Sequence, residues 1–99
     1  MIVVYVIRSI QTNRLYVGQT ENVQLRLKEH NLGRSKYTSA FRPWEIIYTE
    51  EFLDRKGART REIYLKSTAG KNFLRKKGII NRLSYLGFAT ARLKYMATS

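Results

Sequence analysis

The stretch Ile2-Val3-Val4-Tyr5-Val6-Ile7-Arg8-Ser9-Ile10-Gln11-Thr12-Asn13-Arg14-Leu15-Tyr16-Val17-Gly18 decides how this chain is read. Ile2 to Ile7 is rich in β-branched residues, a polar segment follows, and Leu15-Tyr16-Val17 resumes the apolar pattern. Two such runs with turn-forming Gln11, Thr12 and Asn13 between them predict a β-hairpin, with strands near residues 2–8 and 14–18. Gly18 ends the second strand where the backbone must be left-handed or another group must approach closely.

Beyond the hairpin, Thr20 and Asn22 are both suitable helix N-caps. Val23, Leu27 and His30 then recur on one helical face, predicting a helix over roughly 22–31 that Asn31 and Gly33 can end. Gly33 to Pro43 is basic and polar, with Tyr37 and Phe41 interleaved among Arg34, Lys36 and Arg42, and reads as a surface loop. Trp44, Ile46, Tyr48 and Phe52 share one parity, which predicts a strand with a single face on the core, although Glu50 breaks the series. Asp54 caps a second helix reaching about Lys66. Gly70 then interrupts, and Lys71 to Lys77 forms a short basic helix or turn anchored by Phe73 and Leu74. Residues 78–99 are expected to form a helix and basic tail docked on the same domain, residues 1–77 being the domain proper. The fold class is therefore α+β.

Ninety-nine residues suit one domain. Lys and Arg number 19 against 7 Asp and Glu, a formal net charge of +12, so an anionic partner is expected. Hydrophobic residues at 43% supply a core, which sets the chain apart from a disordered basic tail. Cysteine is absent, so disulfides and thiolate zinc sites play no part, and an intracellular, cytoplasmic setting fits. The longest apolar run, Met1 to Ile7, falls far short of the ~18 residues of a membrane span, and no membrane partner is expected. There is no phosphate-cradling glycine loop, no Ser/His/Asp set, and only one histidine.

Three constellations can carry chemistry. Tyr5 and Tyr16 lie one on each hairpin strand, either as a packed cross-strand aromatic pair or as two phenols opening onto a pocket beside Gly18. Arg26 and His30 are four apart on one helix face, either solvated and packed or set to hold a phosphate oxygen and move a proton. Glu62 shares a stripe with Arg55, Ala58 and Leu65. It is either half of an ordinary surface pair with Lys66 or a carboxylate at the core edge for a hard divalent ion.

In order and spacing these segments resemble the GIY-YIG nuclease superfamily, in its small single-domain bacterial branch. Val3-Val4-Tyr5 stands at its first tripeptide and Tyr16-Val17-Gly18 at its second, with ten residues between the two tyrosines. Leu25-Arg26-Leu27-Lys28-Glu29-His30-Asn31, Lys36-Tyr37-Thr38, Arg42-Pro43-Trp44-Glu45 and Arg61-Glu62-Ile63-Tyr64-Leu65-Lys66 extend the likeness over residues 1–77. The resemblance implies a small three-stranded antiparallel sheet flanked by helices and hydrolysis of a phosphodiester bond at a site using one Mg²⁺ or Mn²⁺. Carried over by position, Tyr16 is the general base or water-orienting group, with Tyr5 beside it. Arg26 stabilises charge on the phosphate, His30 assists proton transfer, and Glu62 holds the metal. Gly18, Lys36, Lys66, Lys71 and Arg75 are read as nucleic-acid contacts, and Asn72 as a weaker site candidate. The sequence departs from the superfamily at Val3, where glycine is usual, and at Gln19, where several branches carry lysine. The expected activity is a metal-dependent endonuclease acting on DNA in preference to RNA, structure-directed and of the repair or recombination type. The alternatives are a nucleic-acid-binding module without catalysis and a basic interaction domain. Oligomeric state is left open.

Overall fold

The computed structural model describes residues 1–80. Three strands, β1 (Ile2–Ser9), β2 (Leu15–Thr20) and β3 (Trp44–Phe52), form an antiparallel sheet in the order β2-β1-β3. Helix α1 (Val23–Asn31) and a single turn, α2 (Lys36–Ser39), lie between β2 and β3; α3 (Arg55–Lys66) and α4 (Thr68–Lys76) follow the sheet. The α+β reading holds. The helix-and-tail expectation for 78–99 falls almost wholly outside the described residues. No helix among them is long and apolar enough to cross a membrane.

Strand alternation sorts the central strand into two layers. Ile2, Val4 and Val6 face one way, into a core with Leu15, Val17, Ala58, Leu65, Leu74 and Ile80. Tyr5 and Ile7 face the other way, into a smaller cluster with Trp44 that Val23, Leu27 and Phe41 cover. The sheet is thus packed by α3 and α4 on one side and by α1 on the other, which is why β1 reads as an unbroken apolar run.

The hairpin turn lies where its residues place it. Ser9 N–H donates to the Arg14 carbonyl at 2.8 Å, and Asn13 N–H to the Ser9 carbonyl at 2.9 Å. Asn13 takes the left-handed conformation, φ 60°, which asparagine tolerates well. The second strand runs on to Thr20, beyond the expected end at Gly18. Asn22 caps α1 through its side chain, accepting from Leu25 N–H at 3.1 Å. Asp54 caps α3 in the same way, accepting from Gly57 N–H at 2.9 Å.

Three local expectations are corrected. The single-parity reading of β3 fails because a bulge interrupts its pairing with β1: Val6 faces Tyr48, but Ile7 faces Ile46, leaving Ile47 extra. Trp44 and Ile46 therefore pack into the α1 layer, while Ile47, Tyr48 and Phe52 pack into the α3 layer. Glu50 lies on the α3 side because Arg61 meets its carboxylate with two 2.9 Å bonds and the Tyr48 hydroxyl also donates to it. The 33–43 loop contains the turn α2, which tertiary contacts hold in place.

The third correction concerns Gly70, which sits inside α4 and does not break it. A Cβ there would overlap the Tyr64 carbonyl oxygen and the Leu65 Cα, so glycine is what allows α4 to fold back against α3. Gly70→Ala is expected to destabilise by about 2 kcal/mol or more, as overpacking does. Gly57→Ala, whose Cβ would find only 3.4–3.5 Å contacts, should be neutral or slightly stabilising. Urea unfolding of the two variants checks the contrast, and equal midpoints would refute it.

Candidate active site

The site begins at the register of the hairpin. Tyr5 faces Gly18 across the strands, and Tyr16 faces Ile7, so the two tyrosines are diagonal neighbours and not a directly opposed pair. Their ring centroids lie 6.4 Å apart. Gly18 serves close approach, the second of its two sequence readings. A Cβ on it would stand 2.6 Å from the Tyr5 hydroxyl and 2.8 Å from Cζ, so the missing side chain lets the Tyr5 ring lie across the edge strand.

That placement carries the Tyr5 hydroxyl to His30 Nε2 at 2.9 Å. The other ring nitrogen, Nδ1, meets Thr38 Oγ1 at 2.7 Å. Tyr5 is 2% exposed and His30 and Thr38 are fully buried, so this is a dry chain of three side chains from β1, α1 and α2. A neutral imidazole offers one donor and one acceptor, and each flanking hydroxyl can supply either role. Both tautomers are therefore satisfied, and a proton can pass along the chain without leaving a buried charge. The Thr38 carbonyl accepts from Trp44 Nε1 at 2.8 Å. Asn31 grips the Trp44 backbone on both sides, donating to its carbonyl at 3.1 Å and accepting from its N–H at 2.7 Å. The end of α1, the turn α2 and the start of β3 are thereby fixed as one unit.

Tyr16 is only half-buried. It packs edge-on against His30, with centroids 5.1 Å apart, and stacks on Tyr37 at 6.0 Å. Of the two phenols, Tyr16 is the one that an entering molecule meets. Arg26 lies one helical turn before His30, its guanidinium paired with Glu29 at 3.1 Å and near enough to the Tyr5 phenol to act on its ionisation.

Electrostatics follow from burial. Burial pushes the Tyr5 phenol up to about 12; the Tyr16 and Glu62 charges add to this, and Arg26 works against it. Burial, helped by the charge of Arg26, holds His30 down to about 4. At neutral pH both groups are uncharged, so Arg26 is the fixed positive charge beside them.

Glu62 approaches from the opposite face, on the buried stripe of α3 with Ala58 and Leu65. Gln19, next to Gly18 on the edge strand, donates to its Oε1 at 2.9 Å, and Lys66 donates to Oε2 at 2.8 Å, with Arg59 at 3.8 Å. Burial raises its pKa, but the bonds from Lys66 and Gln19 and the charges of Lys66 and Arg59 outweigh that, holding Glu62 below the usual carboxylate range. Glu62 is thus an i,i+4 partner of Lys66 and at the same time a buried carboxylate at the core edge. It lies close enough for its charge to bear on Tyr5 across the edge strand.

The structure thus gathers Tyr5, Tyr16, Gly18, Arg26 and His30 on one face and sets Glu62 with Lys66 at the other side of β2. Lys36 is exposed on α2. Lys71 and Arg75 lie along α4: Lys71 donates to the Lys66 carbonyl at 3.4 Å, and Arg75 donates to Asn72 Oδ1 at 2.9 Å. Asn72 is thus engaged with its own helix. Thr38 and Asn31 escaped the sequence reading, and Gln19 drew notice only as a missing lysine. Thr38 stands within the quoted Lys36-Tyr37-Thr38, but only the folded chain shows that it buffers the second nitrogen of His30.

The neutral His30 makes stability depend on pH. Its folded pKa of about 4 lies below the unfolded value of about 6.5, so the unfolded chain gains a proton that the folded one refuses. Stability is complete above about pH 6.5 and falls as pH drops toward 4, by up to about 3 kcal/mol from this residue. Because the chain has a single histidine, its imidazole resonances need no assignment. An NMR titration placing the native midpoint near 6.5 would contradict the buried, neutral ring.

The GIY-YIG catalytic domain profile matches residues 1–77. A UPF0213 protein of Bacillus licheniformis is 38% identical over 69 residues, covering 69% of this chain and 71% of that protein. One from Natronomonas pharaonis is 42% identical over 65 residues, covering 65% and 75%. The UPF0213 protein YazA of Bacillus subtilis is 37% identical over 68 residues, covering 68% of each chain. With that match spanning both strands of the hairpin, α1 and α3, the chain belongs to the GIY-YIG family of nuclease domains.

Proposed function

We propose that this protein is a metal-dependent endonuclease that hydrolyses phosphodiester bonds in DNA, directed to structural features in the manner of repair and recombination nucleases. The observation that carries this reading is the buried Tyr5–His30–Thr38 chain with the half-buried Tyr16 packed edge-on against His30 and the guanidinium of Arg26 nearby. A purely structural core has little use for an uncharged relay next to a fixed cation. The net charge of +12 supports a polyanionic substrate.

The residues divide the work by position. Tyr16, the more accessible phenol, orients the attacking water; Tyr5 lies beside it and is hydrogen-bonded to His30, which holds or passes the proton. Arg26 is aimed at charge that grows on the phosphate as the bond to the leaving oxygen breaks, where a fixed cation matters most. Glu62 is the residue that fits a divalent ion: it is buried, held ionised and chemically hard. Among the described residues no group of three or more His, Cys, Asp or Glu could cage a metal, and one Mg²⁺ or Mn²⁺ held by Glu62 would be completed by water and substrate phosphate. When bound, that ion supplies Lewis-acid polarisation of the phosphate. Before the ion arrives, the Lys66 ammonium balances the charge of the ionised carboxylate and Gln19 donates a hydrogen bond to it. Lys36, Lys66, Lys71 and Arg75 are proposed to meet the backbone.

Cleavage of labelled supercoiled, flapped and branched DNA with Mg²⁺, Mn²⁺ or EDTA tests this. Products should require metal, and Glu62→Ala and Arg26→Ala should each lower the rate about 100-fold or more while DNA binding persists. Binding without cleavage under every metal would leave a nucleic-acid-binding module instead.

Binding itself should weaken steeply with salt. Three or four phosphate contacts give a log–log slope of about −3 or steeper, and Lys71→Ala should flatten it by about one. A slope near zero would rule out backbone contacts.

A further inference from the structure

The Arg14 guanidinium is buried, 8% exposed, where it donates to the Tyr37 hydroxyl at 3.1 Å and lies over the Phe41 ring at 4.1 Å. Tyr37 itself is 49% exposed. Its ring stacks on Tyr16 with an interplanar angle of 29°, and Phe41 closes one edge at 5.8 Å. A buried cation thus fixes the tip of an exposed tyrosine, while two other aromatics fix its orientation. Thr38, the next residue, is locked to His30, so the backbone beneath the ring is rigid as well. An exposed tyrosine on a loop ordinarily samples several rotamers. Here its orientation is set by four other residues, and half its surface is left open to solvent.

The surroundings identify what would use that surface. Arg34, Lys36 and Arg42, all exposed, flank the ring along the same segment, and Tyr16 joins it directly to the catalytic group. A planar aromatic face set among cations is the chemistry that grips a nucleobase by stacking while its phosphates are held alongside. Inside a duplex a base has both faces covered by its neighbours, so only an unpaired or extruded base can stack on Tyr37.

We propose that Tyr37 is a stacking platform for one unpaired nucleobase next to the bond that is cut, which makes a strand end, flap, bubble or single strand the substrate class. Resting on the nuclease reading only for the position of the cut, this assigns a binding role to residues outside the catalytic set. Arg14 is a positioning residue that acts through Tyr37.

The test is made in EDTA, where binding is read without cleavage. An oligonucleotide carrying 2-aminopurine at one unpaired position is titrated with the whole chain, beside a fully paired duplex of the same length, in DNA and RNA versions. Wild-type protein should quench the unpaired probe. Tyr37→Leu should lose the quenching and bind the unpaired oligonucleotide about tenfold more weakly, with duplex affinity unchanged. Tyr37→Trp should restore both, and Arg14→Met should lower the quenching at matched saturation. Equal weakening on paired and unpaired probes, or quenching that survives Tyr37→Leu, overturns the platform. If Tyr37→Leu unfolds, its circular dichroism shows it, and the Tyr37→Trp and Arg14→Met comparisons then decide. Stacking without any metal-dependent cleavage would leave this inference standing and remove the nuclease reading. Cleavage indifferent to Tyr37 would do the reverse. Preference of the quenching for DNA or RNA identifies which strand supplies the base.

Discussion

The hydrogen bond from Tyr5 to His30 is the interaction on which the rest of the molecule turns. To make it, a tyrosine of the central strand must cross the edge strand, and this is sterically allowed only because its cross-strand neighbour is Gly18. Once made, it buries the imidazole, and burial sets the protonation state of both rings. The second imidazole nitrogen then needs a partner, and Thr38 supplies it from α2. A four-residue helix that could not persist alone is thereby stabilised by the needs of a buried ring. The site and the local fold are in this sense the same set of bonds.

Charge is distributed to match. Beside Tyr5 stand Arg26 with its partner Glu29, and Arg14 over Phe41, whereas Glu62 is surrounded by Lys66, Arg59 and, through Gln19, Arg55. The carboxylate sits within a cationic neighbourhood that stabilises its ionised form and competes with any added cation for its oxygens. A substrate phosphate would relieve that competition by offering Lys66 and Arg59 another anion. Gln19, in place of a lysine, keeps one oxygen of Glu62 in a neutral hydrogen bond, so the carboxylate is held without a further full charge.

Much of this was legible beforehand, and the exceptions have physical reasons. The hairpin, α1, β3 and α3 announced themselves because their apolar spacing reflects burial on one or both faces, and Asn22 and Asp54 mark their own caps. The candidate site residues Tyr5, Tyr16, Arg26, His30 and Glu62 were named by type and order, and the fold brings the first four together on one face of the sheet. What escaped depended on long-range geometry. Thr38 looks like any loop threonine until His30 is placed against it. Gly70 reads as a helix breaker, because nothing local reveals that α3 will press against it. The diagonal offset of the two tyrosines required the register, and the role of Gln19 required α3.

The bulge at Ile47 has one more implication. Through it, a single strand contributes Trp44 and Ile46 to one hydrophobic layer and Tyr48 and Phe52 to the other, so the strand acts as a hinge between two reading frames of inward-facing residues. In such a strand spacing matters more than identity. Exchange of one aliphatic residue for another leaves every side chain in its own layer, but loss or gain of one residue sends all those on one side of the change to the wrong face of the sheet. β3 therefore tolerates aliphatic exchange better than any change in length, and Trp44, clamped by Asn31 and Thr38, is the fixed mark from which that length is counted.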